Sequence, residues 1–189
     1  MKSNILPAIK LTLVCLVFFS GIYTLAIYGI AQFVPNNGKG EIITHNGKTF
    51  YANIAQNFSH NSYFSSRPSA VAYNAAGSGG SNKGPSNPDY LAEVQARIDA
   101  FLVHNPTVEK SQIPSDLVTA SGAGLDPNIS VQAATVQIPR IAKTRNLAEK
   151  DLQLLVKQQI EKPLLGLFGT EKINVLKLNI ALDNFSNNK

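Results

Sequence analysis

The side chains able to do chemistry are few and scattered. Gly47-Lys48-Thr49 has the ending of a phosphate-binding loop, but that motif needs a glycine five residues before Gly47, and the position is Ile42. Without it the backbone amides cannot wrap a phosphate, so the segment reads as a hairpin turn. A nucleophile elbow of the form G-x-S-x-G fails at both candidate places. Ser78 lies between Ala76 and Gly80, and Ser121 between Thr119 and Ala123. His45, His60 and His104 stand far apart and read as solvated surface side chains; no pair has the spacing a zinc site requires. The reading is no catalytic residue, no metal and no cofactor of the chain's own. The alternative is a membrane-anchored extracytoplasmic serine hydrolase, using Ser78 or Ser121 with one of the three histidines as base.

The elements that would hold any site divide into two kinds. Leu11 to Val34 contains no Asp, Glu, Lys, Arg or His. As a helix it would be about 36 Å long, enough to cross a hydrocarbon core of roughly 30 Å. A core helix of a soluble domain would show a polar face, and this run has none. It is also longer than the apolar stretch of a cleaved signal and has no small-x-small site at its end, which favours a retained anchor. Of the 17 Lys and Arg, only Lys2 and Lys10 precede it, while all 12 Asp and Glu follow it. Positive flanks stay in the cytoplasm, so the expectation is a single-pass protein with a cytoplasmic N-terminus and an extracytoplasmic remainder. The balance of charge beyond the span is too mild for nucleic acid, and no Lys/Arg run supports it. The one cysteine, Cys15, lies within the span, so the exterior part must hold by packing alone.

The boundaries follow: 1–10 cytoplasmic N-terminus, 11–34 transmembrane helix, 35–40 linker, 41–189 a single α+β extramembrane domain. In the last, Asn46-Gly47 suits a type I′ hairpin turn. Asn87-Pro88-Asp89 supplies cap, first-turn proline and N-terminal acid for a helix that His104-Asn105-Pro106 stops. Ser130 caps a second helix running to Ile138, which Pro139 bends or ends. Ala148 to Glu161 has helical apolar spacing through Leu152, Leu155, Val156 and Ile160. Gly166 to Gly169 turns the chain. In Ile173 to Leu182 the residues Leu176, Leu178, Ile180 and Leu182 alternate with Lys177 and Asn179, and the segment reads as a closing strand. Two stretches of small polar residues, 65–90 and 119–127, stand out. The first carries Arg67, Tyr73, Asn74 and Asn82, which could lock a backbone by hydrogen bonds, so a pinned loop is expected.

Several segments taken in order resemble a known family. They are Tyr63-Phe64-Ser65-Ser66-Arg67-Pro68-Ser69-Ala70, Tyr73-Asn74-Ala75-Ala76-Gly77-Ser78-Gly79-Gly80-Ser81-Asn82, and Gly84-Pro85-Ser86-Asn87-Pro88. Asp116-Leu117-Val118-Thr119-Ala120-Ser121-Gly122, Gly124-Leu125-Asp126-Pro127, Gln137-Ile138-Pro139-Arg140 and the ending from Asn174 to Asp183 continue the series. Together with the placement of the N-terminal span, they resemble the C subunit of the Kdp potassium-transporting P-type ATPase along essentially the whole chain. Tyr51-Ala52, Ser65 and Asn128 depart from the family's usual residues.

The resemblance implies a non-catalytic accessory subunit of an inner-membrane, ATP-driven potassium uptake pump. Its partners would be a channel-like transport subunit and an ATP-hydrolysing subunit, with membrane lipid around the span. It implies a catalytic chaperone that raises the ATP affinity of the hydrolysing subunit, so that any ATP is met through that partner. Gln137 lies in the segment tied to this role, with Arg140 as its basic neighbour. On the residues alone, the charge rule puts both on the far side of the membrane from cytoplasmic nucleotide, where they read as a structural pair on the bent helix. Arg67, Tyr73, Asn74, Asn82 and Asp126 are expected to organise the loops that dock on the partners.

Overall fold

A computed structural model describes residues 4–187; Lys2, part of the positive N-terminal flank, lies outside them. The chain divides into two units between Ile42 and Ile43.

The first unit is dominated by helix α1, Ile5–Ala31, 27 residues long and apolar enough to cross a membrane by length and composition. It begins ahead of Lys10 and ends before Phe33 and Val34, so its bounds are shifted towards the N-terminus relative to the charge-free run. Beyond Lys10 in its opening turns every face is free of charge, and none of its side chains is buried within the chain, as expected of a helix solvated by lipid. From Val17 to Tyr23 the helix widens into π geometry. There Thr24 Oγ1 donates to the Phe19 carbonyl at 3.0 Å, feeding a backbone acceptor that the wider turn exposes. The chain leaves through Pro35–Gly38, where Asn36 and Asn37 adopt positive φ, a conformation their short polar side chains tolerate.

The second unit is mixed helix and sheet, with far more helix than strand. Strands β1 (Ile42–His45) and β2 (Lys48–Tyr51) pair as a hairpin. Asn46 and Gly47 sit at φ 48° and 72°, the left-handed pair that a type I′ turn demands. Helix α2 (Pro88–His104) starts where Asn87 Oδ1 accepts from the Tyr90 amide at 3.0 Å. It ends where Asn105 turns back onto the Phe101 carbonyl. After β3 (Asn128–Ile129), Ser130 caps the short helix α3 (Val131–Thr135) by accepting from Ala133 N at 3.0 Å. The helix stops at Val136, and Pro139 occupies the opening turn of the next helix, α4 (Ile138–Arg145). The proline therefore does more than bend one helix: it starts a second, at the position where a missing N–H costs nothing. Asn146, at φ 53°, ends α4, and α5 (Glu149–Gln158) follows with Leu152, Leu155 and Val156 inward.

The C-terminal segment corrects the sequence reading. Only Ile173–Asn174 is strand (β4), pairing antiparallel with β3 so that Asn128 faces Asn174 and Ile129 faces Ile173. Val175–Asn187 is helix α6. The alternation of leucines suggested a strand, but the most deeply buried positions, Val175, Leu178, Asn179 and Leu182, follow i, i+3, i+4, i+7, with Leu176 buried beside them. Asn174 Oδ1 accepts from Lys177 N at 3.1 Å and acts as the cap that starts the helix. The core gathers Phe64, Ile129, Ile138, Ile141, Leu152, Ile173, Leu178 and Leu182, with α2 packed on it through Val94, Ile98 and Phe101.

Candidate functional site

The two small-residue stretches fold into one surface. Gly79 N donates to the Ala123 carbonyl at 3.1 Å, and Ser78 Oγ donates to the same oxygen at 3.1 Å. The backbones approach so closely that side chains are excluded. A Cβ on Gly80 would lie 2.8 Å from the Gly122 carbonyl oxygen. One on Gly124, at φ +68°, would meet Val71 Cγ2 at 2.8 Å and the Gly79 carbonyl oxygen at 2.9 Å. The glycines thus serve contact between loops rather than flexibility within them.

Polar side chains fix this surface from beneath. Arg67 Nη1 meets Asp126 Oδ2 at 2.9 Å, joining the first loop to the second. Asp126 Oδ1 accepts from Asn128 N at 3.0 Å, so the carboxylate also orders the entry to β3. Tyr73, at φ 58°, donates its hydroxyl to the Arg67 carbonyl at 2.8 Å, while its amide donates to Ser69 Oγ at 2.9 Å. Burial pushes the Tyr73 phenol above its ordinary pKa, against a smaller opposing pull from the Arg97 charge. Asn74 closes a local turn by accepting from Ala76 N at 3.0 Å. Asn82 contributes a left-handed backbone at φ 55°. Lys83 Nζ donates to Glu93 at 2.5 Å and ties the end of the loop to α2. That hydrogen bond holds the Glu93 carboxyl below the usual range. Of the five residues singled out from the sequence, Arg67, Tyr73 and Asp126 form one connected cluster; Asn74 and Asn82 act locally in the same loop.

Beside the pair lies an open depression of about 380 Å³, lined by Arg67, Asp116, Asp126, Asn128, Ser130 and Lys172 among others. Two of its acids, Asp126 and Asp116, already hold protein donors: Asp116 accepts from Ser130 N at 2.6 Å and from Ser130 Oγ at 3.2 Å. Among the described residues no group of three His, Cys, Asp or Glu is arranged to hold a metal ion.

Gln137 and Arg140 meet inside the domain. Gln137 is fully buried; its Nε2 donates to the Ala133 carbonyl at 2.9 Å. Its Oε1 accepts from Ser65 N at 2.9 Å and from Arg140 Nη2 at 2.7 Å. The guanidinium also donates to Asn105 Oδ1 at 2.9 Å, to the Tyr63 carbonyl at 3.1 Å and to the Asn61 carbonyl. These acceptors are all neutral, and burial lowers the Arg140 pKa to about 10. The two side chains therefore brace residues 61–65 against α2 and α4.

Other organising residues were missed from the sequence. Asn179, 1% exposed, donates from Nδ2 to the Phe64 carbonyl and accepts at Oδ1 from Phe64 N, both at 2.9 Å. Reading the segment as a strand had turned this side chain outward. Arg145 meets Asp183 at 2.7 Å, donates to the Ser62 carbonyl at 2.8 Å and stacks over the Tyr63 ring at 4.6 Å. Asp183 in turn accepts from the Tyr63 hydroxyl at 3.2 Å and lies 3.4 Å from His45 Nε2. The positively charged last turn of α4 was the available signal for Arg145; nothing in spacing pointed to its partner.

Neither serine of the hydrolase alternative acquires a base. Ser78 donates to a carbonyl, and Ser121 is buried, accepting from Asp126 N at 3.4 Å. His60 bonds Ser62 at 2.8 Å within a local turn.

Comparison with known proteins shows what this chain is similar to. A family model described as K+-transporting ATPase, c chain, matches residues 5–184. The potassium-transporting ATPase KdpC subunit of Flavobacterium psychrophilum is 57% identical over 95% of this chain and 97% of its own length. Those of Bacteroides fragilis and Caldanaerobacter subterraneus are 50% and 45% identical, over 97% and 96% of this chain and 98% and 95% of theirs.

Proposed function

Since the chain belongs to the KdpC family, the c chain of K+-transporting ATPase, we propose that it is the accessory, non-catalytic subunit of a potassium uptake pump. In this reading it docks on a channel-like transport subunit and an ATP-hydrolysing subunit. The observation that carries the proposal is the fused surface of the two loops. Its backbone is pinned by Arg67, Asp126 and Tyr73 and by contacts only glycine permits. An ordered surface loses little conformational entropy when a partner covers it, which favours stable assembly over turnover.

The anchor reading rests on α1, whose length and charge-free run from Leu11 onward suit a bilayer. The flanking charges favour a cytoplasmic N-terminus and an extracytoplasmic second unit at the inner membrane. That topology separates Gln137 and Arg140 from cytoplasmic nucleotide. Their saturated hydrogen bonding also favours an internal brace over an ATP contact. A chaperone effect on the hydrolysing subunit would then be transmitted through assembly rather than through shared nucleotide.

The test is purification of the full chain, co-expressed with the other subunits of the pump, in mild detergent. Recovery in one complex with two larger membrane chains is expected; isolation as a lone chain overturns the proposal. A membrane-impermeant thiol reagent on Ser81→Cys, in a Cys15→Ser background, reads the topology: labelling of intact spheroplasts is expected.

A further inference from the structure

Arg140 carries a charge that no carboxylate among the described residues offsets. Its acceptors, from Asn105, Asn61, Tyr63 and Gln137, are neutral; they satisfy its N–H groups without cancelling its charge. Arg67 and Arg145, by contrast, meet aspartates at 2.9 and 2.7 Å. A charge taken out of water is ordinarily paired, and the lowered pKa of Arg140 reflects burial with no carboxylate to oppose it. Two open hollows of about 220 and 470 Å³ meet at Arg140 and share Asn61, His104 and Asn105. Arg97 lines the first and Lys143 the second; no Asp or Glu lines either. Of Arg97, His104, Arg140 and Lys143, Arg97 alone has an acid partner among the described residues: Glu93 at 3.4 Å, which it shares with Lys83. Lys143 and His104 are exposed.

We propose that these hollows receive an acidic segment of another pump subunit, its carboxylates set against Lys143 and His104 beside the Arg140 charge. The inference rests on the subunit assignment above. A concave surface lined by one sign of charge concentrates the field within it and selects an anionic occupant. The make-up of the walls favours a peptide over a free or lipid phosphate. No glycine lines either hollow, so no glycine-rich turn presents backbone amides of the kind that wraps a phosphate. The Arg140 fork, which would suit a phosphate, is already turned to protein acceptors. The walls are also partly apolar, through Phe58, Phe101, Val103, Pro106 and Pro139, and Val103 is 77% exposed. A peptide covers such surface while its carboxylates meet the cations; a small ion leaves it wet.

The experiment uses the full chain co-expressed with the other pump subunits. Lys143→Glu reverses one wall charge at an exposed position and should leave the chain folded, as its melting transition will show. Recovery of the complex should nevertheless fall about tenfold. Lys150→Glu, the same change of charge on α5, should recover fully. In the assembled pump carbodiimide, which joins amines to carboxylates, should link Lys143 to an Asp or Glu of another subunit. Replacing that acid by Lys should restore recovery with Lys143→Glu. Full recovery with Lys143→Glu alone overturns the proposal, as does an equal loss from Lys150→Glu or a carbodiimide product confined to this chain. So does protection of Lys143 from acetylation in the lone chain by inorganic phosphate or by phosphatidylglycerol vesicles, since either would assign the hollows to a phosphate. If the subunit assignment itself were wrong, the unaltered chain would already fail to co-purify, which separates the two failures.

Discussion

Asn179, on the last helix, grips Phe64 by both backbone polar groups, with its amide standing in for the edge of a strand. The contact joins residues 115 positions apart and lies in the interior, where neither backbone group could find water instead. It positions the segment that leads directly into Arg67. Asn179→Leu keeps much of the volume but orphans a buried N–H and a buried C=O. A loss of about 3 kcal/mol is expected, since each such group costs roughly 1–3 kcal/mol. Asn179→Asp keeps the acceptor and loses the donor, and should differ from the leucine variant. Thermal unfolding of the full chain in mild detergent measures both; a melt unchanged by Asn179→Leu would contradict the clamp.

Gly124 and Gly84 offer a matched pair. At Gly124 an added methyl meets Val71 and the Gly79 carbonyl on a left-handed backbone; at Gly84 no atom lies within 4 Å. Gly124→Ala should destabilise the second unit by at least about 2 kcal/mol, from backbone strain plus overpacking. Gly84→Ala should stay within about 0.5 kcal/mol. Equal effects would show that the two loops are not in contact.

Arg67→Ala breaks the bond to Asp126 and also removes a buried Nε that has no hydrogen-bond partner among the described residues. Both side chains are a quarter to a third exposed, so solvent screening limits the loss in stability to about 1 kcal/mol. The effect on assembly should be larger than that of Lys150→Ala, a change at an exposed position on α5. Quantifying co-purified pump subunits per anchor chain decides it: equal recovery from the two variants removes the loop-organising role.

Tyr73 makes the loop surface sensitive to alkali. Its folded pKa is raised by burial above the 10.0 of an unfolded chain. The folded state keeps the proton that the unfolded state loses, so its contribution is fully present below pH 10 and is lost as pH rises through the folded value. The stability margin of the unaltered chain over Tyr73→Phe should therefore be widest near neutrality and shrink above pH 10. Paired melts of the two proteins at about pH 8 and pH 10.5 test the sign, because other alkaline titrations are common to both. A margin that grows with pH would mean the phenol ionises more readily when folded.

Local chemistry was legible wherever a short stretch dictates its own backbone. The apolar run that became α1, the Asn46-Gly47 turn and the Asn87 and Ser130 caps needed no partner to be read. So, too, the resemblance of ordered segments brought out the family, because side-chain identities survive in the sequence whatever their contacts. Pairings between distant residues were not legible. Arg67 was marked as an organiser, yet only the fold brings Asp126 to it across 59 positions. Arg145 with Asp183, and Asn179 with Phe64, gave no signal, since loop closure sets no spacing. The final segment shows why most sharply. Its leucines fit a strand by period two, and its buried residues fit a helix by 3.6. Only the core against which Leu178 and Leu182 pack, with Asn174 free to cap, chose between them. The sequence by itself determined where the chain is apolar and where it must turn; tertiary packing decided which polar atoms meet, because a buried donor takes whichever acceptor the fold carries to it.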